Sequence, residues 1–154
     1  METPKIQVRS ANLKDLPILL QYEQGVVTAE RPFDPTIQKG PVNYYDLEAL
    51  IQDEESCVAV AEVDGKVVAS GFALVKKARH YLDHEDYAYF GFMYTDEAFR
   101  GQGLNALIID FLKDWAYDKG LKEIRLTVYC DNIPAIKAYE KVGFKKHMVE
   151  MRLT

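Results

Sequence analysis

Hydrophobic and polar positions recur along the chain with two different periods, and together they predict a mixed order of strands and helices. Alternation over Ile6–Ser10 predicts a short strand, and β-branched residues over Ser56–Val63 and 66–75 predict two longer ones. Asp64-Gly65 lies between the two longer runs and is typical of a two-residue hairpin turn. The aromatic-rich run 87–95 predicts a largely buried strand.

Apolar residues at helical spacing predict four helices. Asn12 with Asp15 has the spacing of a capping box in front of the first helix. Periodicity then fails over residues 25–41, which predicts a long loop followed by a helix at about 44–51. The third helix follows Gly103 and ends before Gly120, and the fourth begins after Asp131 or Asn132.

Two further alternating segments, 123–129 and 144–153, predict the last strands. The resulting order is β-α-α-β-β-β-α-β-α-β, which indicates an α/β (mixed α+β) fold with a twisted mixed sheet flanked by helices. We expect one domain over residues 1–154, because a chain of this length can bury a single sizeable core.

Composition narrows the classes of partner. The formal net charge is -5, and the sequence has no run of basic residues, so we expect no nucleic-acid binding. No apolar stretch approaches the roughly 20 residues of a membrane span, and the first residues lack the apolar core of a secretory leader. Only Cys57 and Cys130 are present, and the sequence favours a reducing, cytoplasmic location. The oligomeric state stays open, a homodimer included.

A glycine-containing turn after the aromatic strand is the most informative segment. Arg100-Gly101-Gln102-Gly103 leads directly into an amphipathic helix. Glycines there let backbone N–H groups point into one concavity, and the helix N-terminus adds a partial positive charge. This predicts an anion-binding turn suited to a pyrophosphate. It lacks the Gly-Lys-Ser/Thr of a P-loop and the third glycine of a dinucleotide fingerprint.

Two blocks of the chain resemble the GNAT superfamily of N-acetyltransferases. Residues 100–103 resemble its acyl-CoA signature, Q/R-x-x-G-x-G/A, although Asn105 stands where the pattern has Gly or Ala. Residues 132–144 resemble its second block, N-x-x-A-x-x-x-Y-x-x-x-G-F. The two blocks occur in the family's order, separated by one helix and one strand. The resemblance implies the GNAT fold, acetyl-CoA as co-substrate and no metal.

The resemblance also implies a set of acetyl-CoA contacts. The strand before the turn is expected to separate from its neighbour at a bulge, where backbone groups of Met93 and Thr95 contact the thioester and the pantetheine arm. The expected cofactor-binding residues are Met93, Tyr94, Thr95, Arg100, Gly101, Gln102, Gly103, Leu104, Asn105, Ala106 and Asn132. Arg100 either braces the turn or is a solvated surface residue. Asn132 either caps its helix or contacts the pantetheine amides.

Catalytic roles follow from the same resemblance. Tyr139 is expected to be the general acid for the leaving CoA thiolate, with the backbone of Met93 as oxyanion donor. Strict alternation puts Tyr89 on the strand face of Met93 and Thr95, close to where some relatives carry an acidic base. The general base is left open among three acids, Glu23, Glu30 and Asp34.

The expected function is transfer of an acetyl group from acetyl-CoA to a primary amine, on a small molecule or a peptide, by direct attack in a ternary complex. Alternatives are an acetyltransferase of protein N-termini or lysines, a non-catalytic acyl-CoA sensor, and an unrelated nucleotide-phosphate binder. Aromatic residues and acids within 25–50 suit a cationic amine acceptor. His80 and His84 lack a third ligand at a recognisable spacing, so we expect a solvated loop there rather than a metal site.

Overall fold

Five strands form one sheet in the computed structural model, which describes residues 3–154. They are β1 (Ile6–Ser10), β2 (Ser56–Val63), β3 (Lys66–Lys77), β4 (Asp86–Thr95) and β5 (Ile124–Leu126), and their order in the sheet is β1-β2-β3-β4-β5. The first four run antiparallel to their neighbours, whereas β5 runs parallel to β4. Met1 and Glu2, which begin the segment expected to lack a secretory leader, lie outside the described residues.

Four α-helices cover the two faces of this sheet. They are α1 (Leu16–Glu30), α2 (Leu47–Gln52), α3 (Leu104–Asp118) and α4 (Ile133–Lys141). On one face, α3 buries Ile108, Ile109 and Leu112 against the sheet. On the other face, α1 and α2 bury Leu19 and Leu47. The predicted α/β class with a mixed sheet between helices is therefore confirmed. No helix of residues 3–154 is both long enough and apolar enough to cross a membrane.

The first helix is longer than its sequence pattern predicts. The predicted loop at 25–41 is wrong in its first part, because α1 continues through Gly25 to Glu30. A Cβ at Gly25 would lie 2.5 Å from the ring of Tyr94, so only glycine permits this close contact between helix and strand. The irregular segment is 31–46, and the next helix begins at Leu47 rather than near residue 44.

The two last predicted strands also differ from the structure. The strand β5 has three paired residues, fewer than the predicted 123–129. The predicted strand at 144–153 is wrong, because none of its residues pairs with a strand within the described chain. The physical reason lies in its two ends: Phe144 packs edge-to-face on Phe90 and Tyr139, and Arg152 forms an ion pair with Asp34. These contacts hold the segment outside the sheet.

A bulge in β4 shifts the alternation of its side chains by one residue. Positions an even number of residues apart therefore face opposite sides of the sheet when the bulge lies between them. Ser70 of β3 is opposite Tyr94 while Phe72 is opposite Gly91, so β4 has one residue more than β3 between these pairs. Before the bulge, Phe90 packs on the α3 side and Tyr89 on the α1 side; after it, Met93 packs on the α3 side. The prediction that Tyr89 shares a face with Met93 is therefore wrong, because strict alternation does not continue through the bulge.

Candidate active site

The pairing of β4 with β5, the last strand in the sheet order, ends part-way along β4. Their parallel pairing covers Ala88 with Ile124, Tyr89 with Arg125 and Phe90 with Leu126, and it ends there. Beyond Phe90, β4 continues to Thr95 with β3 as its only paired neighbour among residues 3–154. On the β5 side, residues 91–95 therefore have no strand partner within the described residues, and we call the space beside this unpaired edge of β4 the gap.

The bulge next to this gap is held in a strained conformation. Phe92 has φ 58°, a left-handed value that costs a non-glycine residue about 1–2 kcal/mol. The buried Ser70 hydroxyl donates to the Phe92 carbonyl at 3.2 Å, and the Phe92 ring packs against Tyr45 at 5.5 Å between centroids. Gly71 leaves room for Met93, whose sulfur would lie 2.7 Å from a Cβ at that position. These contacts fix the orientation of the Met93 backbone.

At the end of β4 the chain makes the glycine turn and enters α3. Gly101 and Gly103 have φ 79° and 78°, and a Cβ at either position would meet no other atom within 4 Å. Positive φ, not crowding, is therefore what requires glycine here. Gly103 is the N-cap of α3 and supplies no side-chain cap, so the first N–H groups of the helix are free of a capping side chain. Such a helix end attracts an anion.

The residues around the turn have distinct surroundings. Arg100 donates from Nε to the Thr95 carbonyl at 3.0 Å, so its side chain braces the turn. Leu104 is buried in the core, and Gln102 is exposed, while Asn105 and Ala106 are half-buried. These side chains differ in burial and in chemistry, so they do not form a common binding surface. The groups that residues 101–106 share, and that could bind an anion, are their backbone N–H groups.

Tyr94, the residue before Thr95 in β4, has its side chain on the α1 side of the sheet. Its ring packs against Tyr22 with centroids 4.8 Å apart. The side chain is thus used in packing, and a contact of Tyr94 with acetyl-CoA stays a prediction.

After β5 along the chain, Asn132 begins α4. Its Oδ1 accepts from the Ala135 N–H at 3.3 Å, so of the two roles expected for Asn132 the structure has the helix cap. A contact of its amide with pantetheine stays a prediction.

Tyr139 lies on α4 and is partly buried against the α3-side core. Its ring packs edge-to-face on Phe144, with centroids 6.0 Å apart. Burial, with smaller contributions from Glu30 and Tyr89, raises the pKa of Tyr139 to about 12. The phenol therefore keeps its proton throughout the physiological pH range. It is a hydrogen-bond donor in the protein at rest.

Glu30, the last residue of α1, lies at the centre of a group of tyrosines. Its charge raises the pKa of each phenol in this group, which comprises Tyr44, Tyr45, Tyr129 and Tyr139. Burial raises the pKa of Glu30 itself, the charge of Asp34 adds to the rise, and the neighbouring Tyr44 hydroxyl offsets part of it. A carboxylate with a raised pKa is a better proton acceptor than an ordinary one.

The two other acids named from the sequence have structural surroundings. Glu23 is fully buried, and its Oε2 accepts from the N–H groups of Tyr44 and Tyr45 at 2.8 Å each. Asp34 accepts from Thr36 and Arg152, and these contacts lower the pKa of Asp34 to about 2. Glu23 therefore fixes the end of the segment 31–46, just before α2, and Asp34 stays ionised at neutral pH. With a pKa of about 2, Asp34 is too weak a base to take a proton from an amine at neutral pH.

Tyr89 is separated from the Met93 face but still reaches the gap. Its hydroxyl is 2.8 Å from the Thr127 hydroxyl, just beyond the end of β5. The Lys76 ammonium lies 3.9 Å above its ring. Sequence reasoning misses Thr127, because the predicted strand 123–129 gives it no separate role.

The protein family of this chain follows from its match to the sequence model of a known family. Residues 24–144 match the model described as the acetyltransferase (GNAT) family. The chain belongs to the GNAT acetyltransferase family. This confirms the resemblance noted for the turn at 100–103 and the block at 132–144, and the predicted class of enzyme, acyltransferase, is that of the family.

Individual proteins similar to this GNAT chain either align with it over a short segment or have low sequence identity to it. Streptothricin acetyltransferase of Escherichia coli is 42% identical over 45 residues, which are 29% of this chain and 26% of that protein. This chain therefore aligns with about a quarter of the length of that relative. The tetramutant of the BH1408 protein from Bacillus halodurans has the same fold, with a TM-score of 0.83 and 22% identity over 96% of this chain and 99% of that one.

A second solved structure of the same fold is that of a predicted acetyltransferase with acetyl-CoA from Clostridium acetobutylicum. Its TM-score is 0.69, and it is 18% identical over 97% of this chain and 96% of that one. At this identity the likeness concerns the fold alone.

Glu30 is the residue whose surroundings the sequence pattern predicts least well. Helical periodicity is interrupted at Gly25, which predicts a loop for Glu30 and makes it one of several surface acids. The apolar pair Val26 and Val27, both buried in the structure, is the signal that the helix continues.

We predict that Glu30→Gln raises the melting temperature at pH 7, whereas Asp34→Asn lowers it. The folded pKa of Glu30 is raised, so its ionisation destabilises the folded state as the pH rises above about 4.3, the ordinary value for Glu. The folded pKa of Asp34 is lowered, so its contribution is present above about 3.9 and is lost as the pH falls towards 2. Thermal melts of both variants and the wild type across pH 2–8 measure these effects. If the melting temperatures of both variants changed in the same direction at pH 7, the opposite pKa shifts assigned to Glu30 and Asp34 would be contradicted.

Proposed function

We propose that this protein transfers the acetyl group of acetyl-CoA to a primary amine carried on a cationic small molecule, by direct attack while both substrates are bound. The observation that carries the proposal is the gap between β4 and β5, with the strained bulge at Phe92 on one side and the uncapped N-terminus of α3 beside it. We infer that a backbone donor, an anion-binding turn and the partly buried phenol of Tyr139 border this gap.

Acetyl-CoA is the substrate that this arrangement suits. The free N–H groups of residues 101–106 and the partial positive charge of α3 would bind its pyrophosphate. The backbone of Met93 and Thr95 would bind the pantetheine arm along the unpaired edge of β4, as a further strand would. Family membership and the acetyl-CoA in the Clostridium acetobutylicum structure support this choice.

The chemical step forms a C–N bond and breaks the C–S bond of the thioester. The Met93 N–H would donate to the carbonyl oxygen as it gains negative charge, and one such preorganised donor is worth about 2.7–4 kcal/mol. The Tyr139 hydroxyl would donate to the sulfur as the thiolate leaves. Because the pKa of Tyr139 is about 12 and that of a thiol is about 8.5, we expect a strong hydrogen bond in the transition state rather than an early proton transfer.

The amine must lose a proton before it attacks, and Glu30 is the acid with suitable properties. It lies near Tyr139, its pKa is raised, and it is half-buried rather than solvated. We assign it the role of general base, directly or through one water molecule. Glu30 takes one proton from the ammonium before attack and releases it to solvent afterwards. The second proton, lost from nitrogen once the C–N bond has formed, neutralises the CoA thiolate that Tyr139 stabilises, so that the products are the amide and the CoA thiol.

The surroundings of Glu30 support a cationic acceptor. Phe33 stacks on Tyr129 at 5.9 Å between centroids, and the Tyr129 hydroxyl donates to Asp34 at 3.3 Å. These aromatic faces would attract a positive charge by cation–π contacts, and Asp34, whose charge is partly offset by Arg152, would add a carboxylate nearby. Streptothricin acetyltransferase, the relative with the 45-residue overlap, agrees with a small-molecule substrate.

Acetyl-CoA should raise the melting temperature of the wild type, since a ligand that binds only the folded state stabilises it by about 2.7 kcal/mol at 100 times Kd. Gly103→Val should abolish this rise, because a branched side chain at the turn would occupy the pyrophosphate position. Gly120→Val is the matched control: its φ of 79° equals that of the turn glycines, it is also open, and it lies at the other end of α3. If both variants retain the acetyl-CoA shift, the anion site is elsewhere.

Tyr139→Phe should lower kcat by about 10²–10⁴ while leaving acetyl-CoA affinity unchanged, because it removes one hydroxyl and keeps the ring that packs on Phe144. The loss should shrink with acyl donors whose leaving thiol is more acidic. Single-turnover measurements separate chemistry from product release. An unaltered chemical step would show that Tyr139 has only a packing role.

Glu30→Gln should lower kcat/KM for a cationic amine at pH 7, and the deficit should shrink as the pH approaches the pKa of the amine, where the acceptor is already unprotonated. Thiol release with a panel of amines, followed from pH 6 to 10, measures this. Asp34→Asn is the control: it removes a neighbouring carboxylate whose pKa of about 2 makes it too weak a base, so its effect should be on KM. A Glu30→Gln deficit that is equal at every pH would exclude the base role.

A further inference from the structure

Residues 145–154, here named the C-terminal arm, expose an unusual amount of apolar surface. Met148 is 75% exposed, Val149 77%, Met151 89% and Leu153 103%. Val149, Met151 and Leu153 recur with period two, so an extended arm carries them on one face. Single exposed apolar residues are common on proteins, but a contiguous row of them marks a surface that another molecule covers.

The arm is anchored at both ends by its own chain. At its beginning, Phe144 packs on Phe90 with centroids 6.3 Å apart. Near its end, Arg152 donates to Asp34 at 3.1 Å and to the Thr36 hydroxyl at 3.0 Å. Because these contacts hold the arm against the segment 31–46, its apolar face is turned away from the cores of its own chain. Whatever covers that face comes from outside this copy.

The same chain also has an open sheet edge. The strand β5 is the last in the order β1-β2-β3-β4-β5, and within residues 3–154 only one of its edges is paired. Unpaired N–H and C=O groups at such an edge accept a further strand readily. The arm is a segment of suitable pattern whose backbone groups are likewise unpaired within the described residues.

We propose that two copies of this chain form a dimer in which each C-terminal arm adds a strand to the sheet of the other copy beyond β5. A two-fold arrangement brings each arm to the equivalent edge of its partner, so that both open edges and both apolar faces are covered by identical contacts. Arg152 remains on Asp34 of its own copy. Dimer formation thereby orders the arm that holds the segment 31–46, which borders the proposed acceptor region.

The test combines molar mass with amide exchange. By light scattering, the wild type should have twice the 17.6 kDa mass of one chain. The double variant Val149→Asp/Met151→Asp should have the mass of one chain, because charges replace the apolar face, yet it should melt cooperatively, since both side chains are largely free of contacts within one copy. Tyr117→Asp is the control: Tyr117 is 52% exposed on α3, away from the arm, and this variant should remain a dimer.

Hydrogen exchange of the wild type tests the strand pairing itself, independently of how the variants fold. Amides within 124–128 and 146–152 should be protected in the wild type, and the double variant should lose this protection. A wild type that has the mass of one chain at every soluble concentration would overturn the proposal. So would a double variant that stays dimeric, or a wild-type arm whose amides exchange as fast as those of a free peptide.

Discussion

The geometry of the proposed site depends above all on the left-handed backbone conformation of Phe92. One extra residue in β4 cannot be absorbed by an antiparallel pair without a local twist, and here the twist falls on a residue that is not glycine. The cost is met by its surroundings: Ser70 fixes the carbonyl, Tyr45 and Phe72 enclose the ring, and Gly71 leaves space for Met93. The proposed site is preorganised because these contacts are made in the core, by residues that have no part in the proposed binding of substrates.

The bulge also explains why the two halves of β4 serve different purposes. Over Ala88–Phe90, β4 has strand partners on both sides, and the buried Ala88 and Phe90 belong to the core on the α3 side. After the bulge, β4 loses β5 as a neighbour and leads into the glycine turn. The strand therefore brings an open edge and a helix N-terminus to the same opening through one short turn.

Three acids close together in sequence acquire three different chemical characters from their neighbours. Glu23 satisfies two backbone N–H groups in the core, Asp34 is held ionised by Thr36 and Arg152, and Glu30 is half-buried among phenols with its pKa raised. Hydrogen-bond donors stabilise a carboxylate, whereas burial without enough of them disfavours its charge. The electrostatics of the proposed acceptor region thus result from where α1 ends and how the segment 31–46 folds back.

Features that depend on local chemistry could be predicted from the order of residues. The capping box of Asn12 and Asp15, the hairpin at Asp64-Gly65, the glycine turn before α3 and the start of α4 at Asn132 were all predictable, because each needs particular residues at a short, fixed spacing. The capping box differs from the prediction in that it caps a 3₁₀ turn at Leu13–Asp15, from which α1 then continues without a side-chain cap of its own. The order of the first nine helices and strands followed from the two periods of the hydrophobic pattern. The two family blocks added the class of enzyme.

Features that depend on residues far apart in the chain could not be predicted in this way. The helix α1 passes through Gly25 because the ring of Tyr94 lies against it, and no local pattern contains that contact. Whether Tyr89 and Met93 lie on the same face of the sheet depends on a bulge that arises from pairing with β3. The pKa of Glu30 depends on the segments that pack around it and bury it. The segment 144–153 has the alternation of a strand, but pairing needs a free edge within reach, and in one copy its two ends are held elsewhere.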